Sequence, residues 1–148
     1  MQPALFDTSL YITALRRGND AALALRRIAA DAPSWLSSVV LEKLYAGAGE
    51  RERRLVERLE RDFDRVKRIL IPNLSDWTQT GRVLARLAAR YGYEQIGQGR
   101  LTNDALIAMS AGRLGIRVLR QRTRLPSARR MPPISVAGDQ RLRCIAKA

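Results

Sequence analysis

The chain has 148 residues, 46% of them hydrophobic and 28% charged, enough for one domain with its own core. It contains no histidine, which excludes Ser-His and Cys-His triads, zinc-finger ligation and imidazole acid–base chemistry. Its single cysteine, Cys144, excludes an internal disulfide and suits the reducing cytoplasm, and the formal charge of +13 points to a polyanionic partner such as nucleic acid, or to an acidic protein.

The residues from Met1 to Tyr11 have no basic stretch ahead of their apolar ones and include Asp7, so no secretory signal is expected. No segment approaches the roughly 20 apolar residues that span a bilayer. Ala4-Leu5-Phe6 reads as a short strand ending at Asp7, with Thr8 or Ser9 capping a helix to about Arg17. Gly18-Asn19 stops that helix, and Asp20 to Ala30 forms a second, with Leu23, Leu25 and Ile28 available to pack. Trp35-Leu36-Ser37 reads as a buried strand, followed by a helix over Val39 to Ala46 whose apolar stripe surrounds Glu42.

Glu50 to Arg68 predicts a helix with Val56, Leu59, Phe63 and Val66 on one face. Glu50/Arg54, Glu57/Arg61 and Asp64/Arg68 stand as i,i+4 pairs, each worth about 0.2–0.5 kcal/mol. Ile69 to Ile71 is a short strand ended by Pro72. Ser75 or Asp76 then caps a helix to Tyr91, with Trp77, Gly81, Leu84, Ala88 and Tyr91 on its packed side. Thr102 caps a helix from Asn103 to Arg113, and Ile116 to Leu119 closes the pattern as a strand. Trp35 and Trp77 read as core aromatics rather than base-stacking platforms, and the pairs Arg16-Arg17 and Arg26-Arg27 are assigned no site.

Short apolar strands alternating with helices mean an α/β domain, a parallel sheet covered on both faces. Sites in such sheets form beyond the carboxyl ends of the strands. From about residue 120 the periodicity fails. Residues 1–112 hold 17 Lys+Arg and 13 Asp+Glu, whereas residues 113–148 hold 10 Lys+Arg and one acid, Asp139. The expected organisation is a domain over 1–119 and a basic, irregular tail over 120–148, either a solvated segment or a binding element.

Three acids stand in apolar contexts near strand ends or helix starts: Asp7, Glu42 and Asp104. Each alone has a plainer role as a helix cap or first-turn charge. Together, at ~5 Å and an effective dielectric of ~20, each carboxylate pair costs about 3 kcal/mol, so the cluster needs a counter-ion. A hard divalent cation, Mg²⁺ or Mn²⁺, takes carboxylate oxygens and also binds phosphate. It can activate water for attack at phosphorus.

Leu5-Phe-Asp7-Thr-Ser9, Ser38-Val-Val-Leu-Glu42-Lys-Leu-Tyr-Ala-Gly47 and Leu101-Thr-Asn-Asp104-Ala-Leu-Ile-Ala resemble, in order, the signatures of PIN domains. The nearest likeness is to VapC-type toxins of toxin–antitoxin pairs, and Trp77-Thr-Gln-Thr-Gly81-Arg-Val-Leu84 resembles a helix those toxins carry. The resemblance implies a three-layer α/β/α fold and a Mg²⁺- or Mn²⁺-dependent endoribonuclease, dimeric and inhibited by a cognate antitoxin. It implies that Asp7 and Asp104 ligate the metal and that Glu42 holds or deprotonates its water. The family carries a fourth acid after the last strand in a pattern like Thr-x-Asn-x-x-Asp-Phe. This chain reads Arg120-Gln-Arg-Thr-Arg-Leu125-Pro-Ser there, with Arg122 and Leu125 where Asn and Asp would fall. A one-base shift of frame over Thr123 to Pro126 could restore an Asp-Phe pair, which suggests a frameshifted end that has lost or altered the last strand. The alternative is a catalytically impaired PIN-like protein that acts by binding antitoxin or nucleic acid; another is an unrelated basic α/β binding protein whose acids are structural.

Overall fold

A computed structural model describes residues 2–30, 33–96 and 100–120. The tail expected from about residue 120, with Arg122, Leu125, Asp139 and Cys144, lies outside the described residues beyond Arg120 itself. Four strands, β1 (Ala4–Phe6), β2 (Ser34–Ser37), β3 (Ile69–Leu70) and β4 (Arg117–Leu119), form one sheet in the order β3-β2-β1-β4. Every pairing is parallel, as the alternating pattern of strands and helices requires. The helices are α1 (Thr8–Leu15), α2 (Ala21–Ala30), α3 (Ser38–Gly47), α4 (Glu50–Arg65), α5 (Leu74–Tyr91) and α6 (Arg100–Arg113). The result is the expected α/β class with a short central parallel sheet.

The core gathers Leu5 of β1 and Leu36 of β2 with Tyr11, Val40, Val56, Phe63 and Ile107 from the helices. Burial of such side chains contributes about 1.5–3 kcal/mol each. Helices α1, α2, α3 and α4 pack on one another, while α5 and α6 form a pair tied to the sheet through α6 and β4. That pair is pinned by a buried carboxylate. Asp76 accepts hydrogen bonds from Arg113 Nε at 3.0 and 3.1 Å and from Nη2 at 3.0 Å. Burial opposes ionisation of Asp76, but the bonds from Arg113 and from the Asn73 N–H outweigh it and hold its pKa below the ordinary carboxylate value.

Several expectations are corrected. Asp7, not Thr8 or Ser9, caps α1, because its extended backbone places the carboxylate over the Thr8 N–H. Asn73 caps α5, with Asp76 completing a reciprocal capping box. Helix α6 begins at Arg100, so Thr102 is internal and Asp104 falls in the second turn. Helix α4 stops at Arg65 because Lys67 takes a left-handed φ of 54°, which leaves Val66 exposed. Leu23 is exposed as well, and Leu25 is the buried leucine of α2. Among the described residues, none of the three expected i,i+4 pairs forms. The ion pairs in this region are i,i+3, Arg65–Asp62 and Lys67–Asp64, and Glu60 accepts a hydrogen bond from Tyr45. Trp77 and Tyr91 are exposed, since α5 turns Asp76, Thr80, Val83 and Ala88 inward. Trp35 does pack against the core.

Candidate functional site

Parallel pairing of β1 with β4 sets Ala4 beside Arg117, Leu5 beside Val118 and Phe6 beside Leu119. One step further along each strand, the register brings Asp7 level with Arg120 at the carboxyl edge of the sheet. The Asp7 N–H donates to the Leu119 carbonyl at 3.0 Å, holding the two exits together. Neighbouring strands are about 4.8 Å apart, so Arg120 has little choice but to stand beside Asp7.

Asp7 divides its carboxylate between two tasks. One oxygen, Oδ1, accepts from the Thr8 N–H at 2.7 Å and caps α1. The other, Oδ2, accepts from Arg120 Nε at 3.0 Å. The same guanidinium donates through Nη2 to Asp104 Oδ2 at 2.6 Å. Lys43 Nζ, from α3, stands 4.0 Å from the other Asp104 oxygen. Four side chains from β1, α3, α6 and the end of β4 thus meet, two anions and two cations, with a formal charge of zero. They are partly sunken: the side chains of Asp7 and Asp104 are 14% and 20% exposed, that of Arg120 35%. Burial alone would disfavour the charged guanidinium. The hydrogen bonds and charges of Asp104 and Asp7 more than offset it and hold the Arg120 pKa above its ordinary value.

Of the three acids singled out in the sequence, Asp7 and Asp104 therefore share one cationic partner. Glu42 does not join that contact. It is exposed on α3, next to Lys43, and makes no hydrogen bond or ion pair among the described residues. Among the described residues, no group of three or more His, Cys, Asp or Glu side chains is arranged to hold a metal ion. Arg120 and Lys43 were not anticipated. The signal for Arg120 lay in the strand register, which a single sequence does not contain.

The PIN domain family model matches residues 4–128 of the sequence. The chain belongs to the PIN domain family. The match runs past the boundary expected near residue 120, into the arginine-rich segment. No curated protein matches the sequence. PIN domains are typically metal-dependent nucleases, and their fold accounts for the short parallel sheet with acids at its carboxyl edge.

The donor set of this PIN domain can be judged against a divalent cation. Mg²⁺ keeps most of its waters and is commonly held by one or two carboxylates together with substrate phosphate. Here two carboxylates from different elements direct an oxygen at the same positive group, so the guanidinium stands in for a cation. Carboxylate oxygens converging on one cationic position suit a hard divalent cation.

Proposed function

We propose that this PIN domain is a Mg²⁺- or Mn²⁺-dependent endoribonuclease with Asp7 and Asp104 as the residues that hold the metal. The observation that carries the reading is their convergence on a single cationic position at the carboxyl edge of the sheet. When bound, the metal would supply electrostatic stabilisation of the phosphodiester transition state and help activate water. Asp7 is positioned for its part by the cap it makes to α1, which fixes its rotamer. Glu42, on the exposed surface of α3, would serve as the proton acceptor for water, the role that the family resemblance implies for it. Lys43, already within ion-pair reach of Asp104, contributes positive charge for an RNA phosphate, a contact that positions the backbone without reading sequence.

The finer biological reading is a cytoplasmic toxin of the VapC type, inhibited by a cognate antitoxin and acting as a homodimer. The ordered likeness of its three acidic segments to those toxins supports the toxin role. Ile71, Leu74 and Trp77, which are 68%, 79% and 53% exposed at the junction of β3 and α5, support an apolar face covered by another subunit. Among the described residues, no helix is long and apolar enough to cross a membrane. A second reading is favoured by Arg120 itself: a guanidinium lodged between the two acids suits an impaired enzyme that works by binding antitoxin or nucleic acid. Incubating the protein with single-stranded and structured RNA in Mg²⁺ or Mn²⁺ separates the two. Endonucleolytic cleavage that disappears in Asp7→Asn supports the nuclease; no cleavage of any RNA, with binding retained, supports the alternative. The end of the chain is a proposal too. Reading the gene's other frame over residues 120–128 should reveal an Asp-Phe pair if the end is frameshifted, and its absence would refute that.

A further inference from the structure

The contacts of Arg120 carry more than a salt bridge. Its guanidinium does not form a fork on one carboxylate but divides its donors, Nε to Asp7 at 3.0 Å and Nη2 to Asp104 at 2.6 Å. The two acceptors come from different elements, and the backbone beneath Arg120 is fixed by the pairing of Phe6 with Leu119. Charge-assisted hydrogen bonds of this kind are about twice as strong as neutral ones. With Lys43 at the other Asp104 oxygen, the carboxylate pair is neutralised by the chain's own side chains. Two negative charges that would otherwise repel are compatible without any added ion. A divalent cation at the same oxygens would place two further positive charges against Arg120 and Lys43.

We infer that Arg120 is a resident counter-ion that competes with the divalent cation for Asp7 and Asp104, so that metal loading requires the Arg120 side chain to be displaced. This rests on the reading of Asp7 and Asp104 as the metal-holding pair. The competition weakens metal affinity and makes loading depend on anything that draws the guanidinium away. Lysine cannot substitute fully, since a point charge lacks the planar set of donors that reaches both carboxylates.

Calorimetric titration of the full chain with MnCl2 tests this without reference to turnover. Arg120→Gln is expected to bind Mn²⁺ at least tenfold more tightly than wild type, about 1.4 kcal/mol, with Arg120→Lys between them. Asp7→Asn is expected to abolish binding in both the wild-type and the Arg120→Gln backgrounds. Should Arg120→Gln fail to fold, the wild-type protein still decides: the Nε–H resonance of Arg120 is expected to be protected in metal-free solution and to lose that protection as Mg²⁺ saturates the site. Equal Mn²⁺ affinity in wild type and Arg120→Gln, with binding still abolished by Asp7→Asn, overturns the competition and leaves the nuclease reading standing. An Nε–H signal untouched by saturating Mg²⁺ does the same. Absence of Mn²⁺ binding in every variant removes both.

Discussion

Replacing Arg113 with alanine should destabilise the fold at neutral pH by about 1–3 kcal/mol, the cost of leaving the buried Asp76 carboxylate short of hydrogen-bond donors. Asp76 is 4% exposed at its side chain and accepts three hydrogen bonds from the Arg113 guanidinium. Without Arg113 the carboxylate keeps one backbone donor, the Asn73 N–H at 2.9 Å. Breaking a fully buried ion pair from one side costs about 3–5 kcal/mol. Arg113 is 34% exposed, so solvent enters the vacated space and the figure is reduced accordingly. The pH dependence follows from the sign of the Asp76 shift. Its folded pKa is depressed, so its stabilising contribution is complete above the unfolded value of about 3.9 and is lost as pH falls through the folded value. In Arg113→Ala, burial is left to dominate and raises the Asp76 pKa, so protonation relieves the variant. Urea unfolding at pH 7 and at pH 4 should therefore show a penalty that shrinks on acidification. A loss below about 0.5 kcal/mol at pH 7, or one unchanged at pH 4, would refute the account of Asp76 as an ionised, buried pin.

Three further substitutions probe the scaffold. Tyr11 is fully buried, and its hydroxyl has no hydrogen-bond partner among the described residues; Tyr11→Phe should be neutral or stabilising by up to ~1 kcal/mol in denaturant melts. The Ser37 hydroxyl accepts from the Val39 N–H at 3.2 Å and caps α3, so Ser37→Ala should cost about 1 kcal/mol in the same assay. Lys67 holds a left-handed φ of 54°, a conformation that costs a non-glycine residue roughly 1 kcal/mol or more. Lys67→Gly should raise the melting temperature by a few degrees in a thermal scan, net of the added freedom of the unfolded chain.

The sheet was largely legible because its strands are short apolar runs with abrupt ends, and Asp7 announces the end of β1. The buried side of α5 was not. Two polar residues, Asp76 and Thr80, lie on it, and although Ala88 is buried as expected, the apolar Trp77 and Tyr91 face solvent, so hydropathy misplaces much of the face. A reciprocal cap and the pull of Arg113 decide that rotation, and both are contacts rather than periodicities. Charge spacing on α4 misled for a related reason. Exposed ion pairs are weak enough that Asp64 pairs with Lys67 rather than Arg68, and among the described residues Glu50 and Glu57 form no ion pair with the arginines four residues on. At the candidate site, strand ends and helix starts identified Asp7 and Asp104, but the cation between them depends on how β4 is registered against β1. That information is tertiary. Glu42 had the same apolar context as the other two, and its exposed place on α3 follows from the helix rotation that buries Val40, Leu41 and Leu44.

The central claim is that Asp7 and Asp104 act as one centre. Single-turnover RNA cleavage in Mn²⁺ by wild type, Asp7→Asn, Asp104→Asn and the double variant tests it directly. Residues that serve one centre are strongly non-additive, so each single change is expected to lower the rate by 100-fold or more, with the double variant no slower than the slower single one. Multiplied losses in the double variant, or a single variant that cleaves at the wild-type rate, would contradict it.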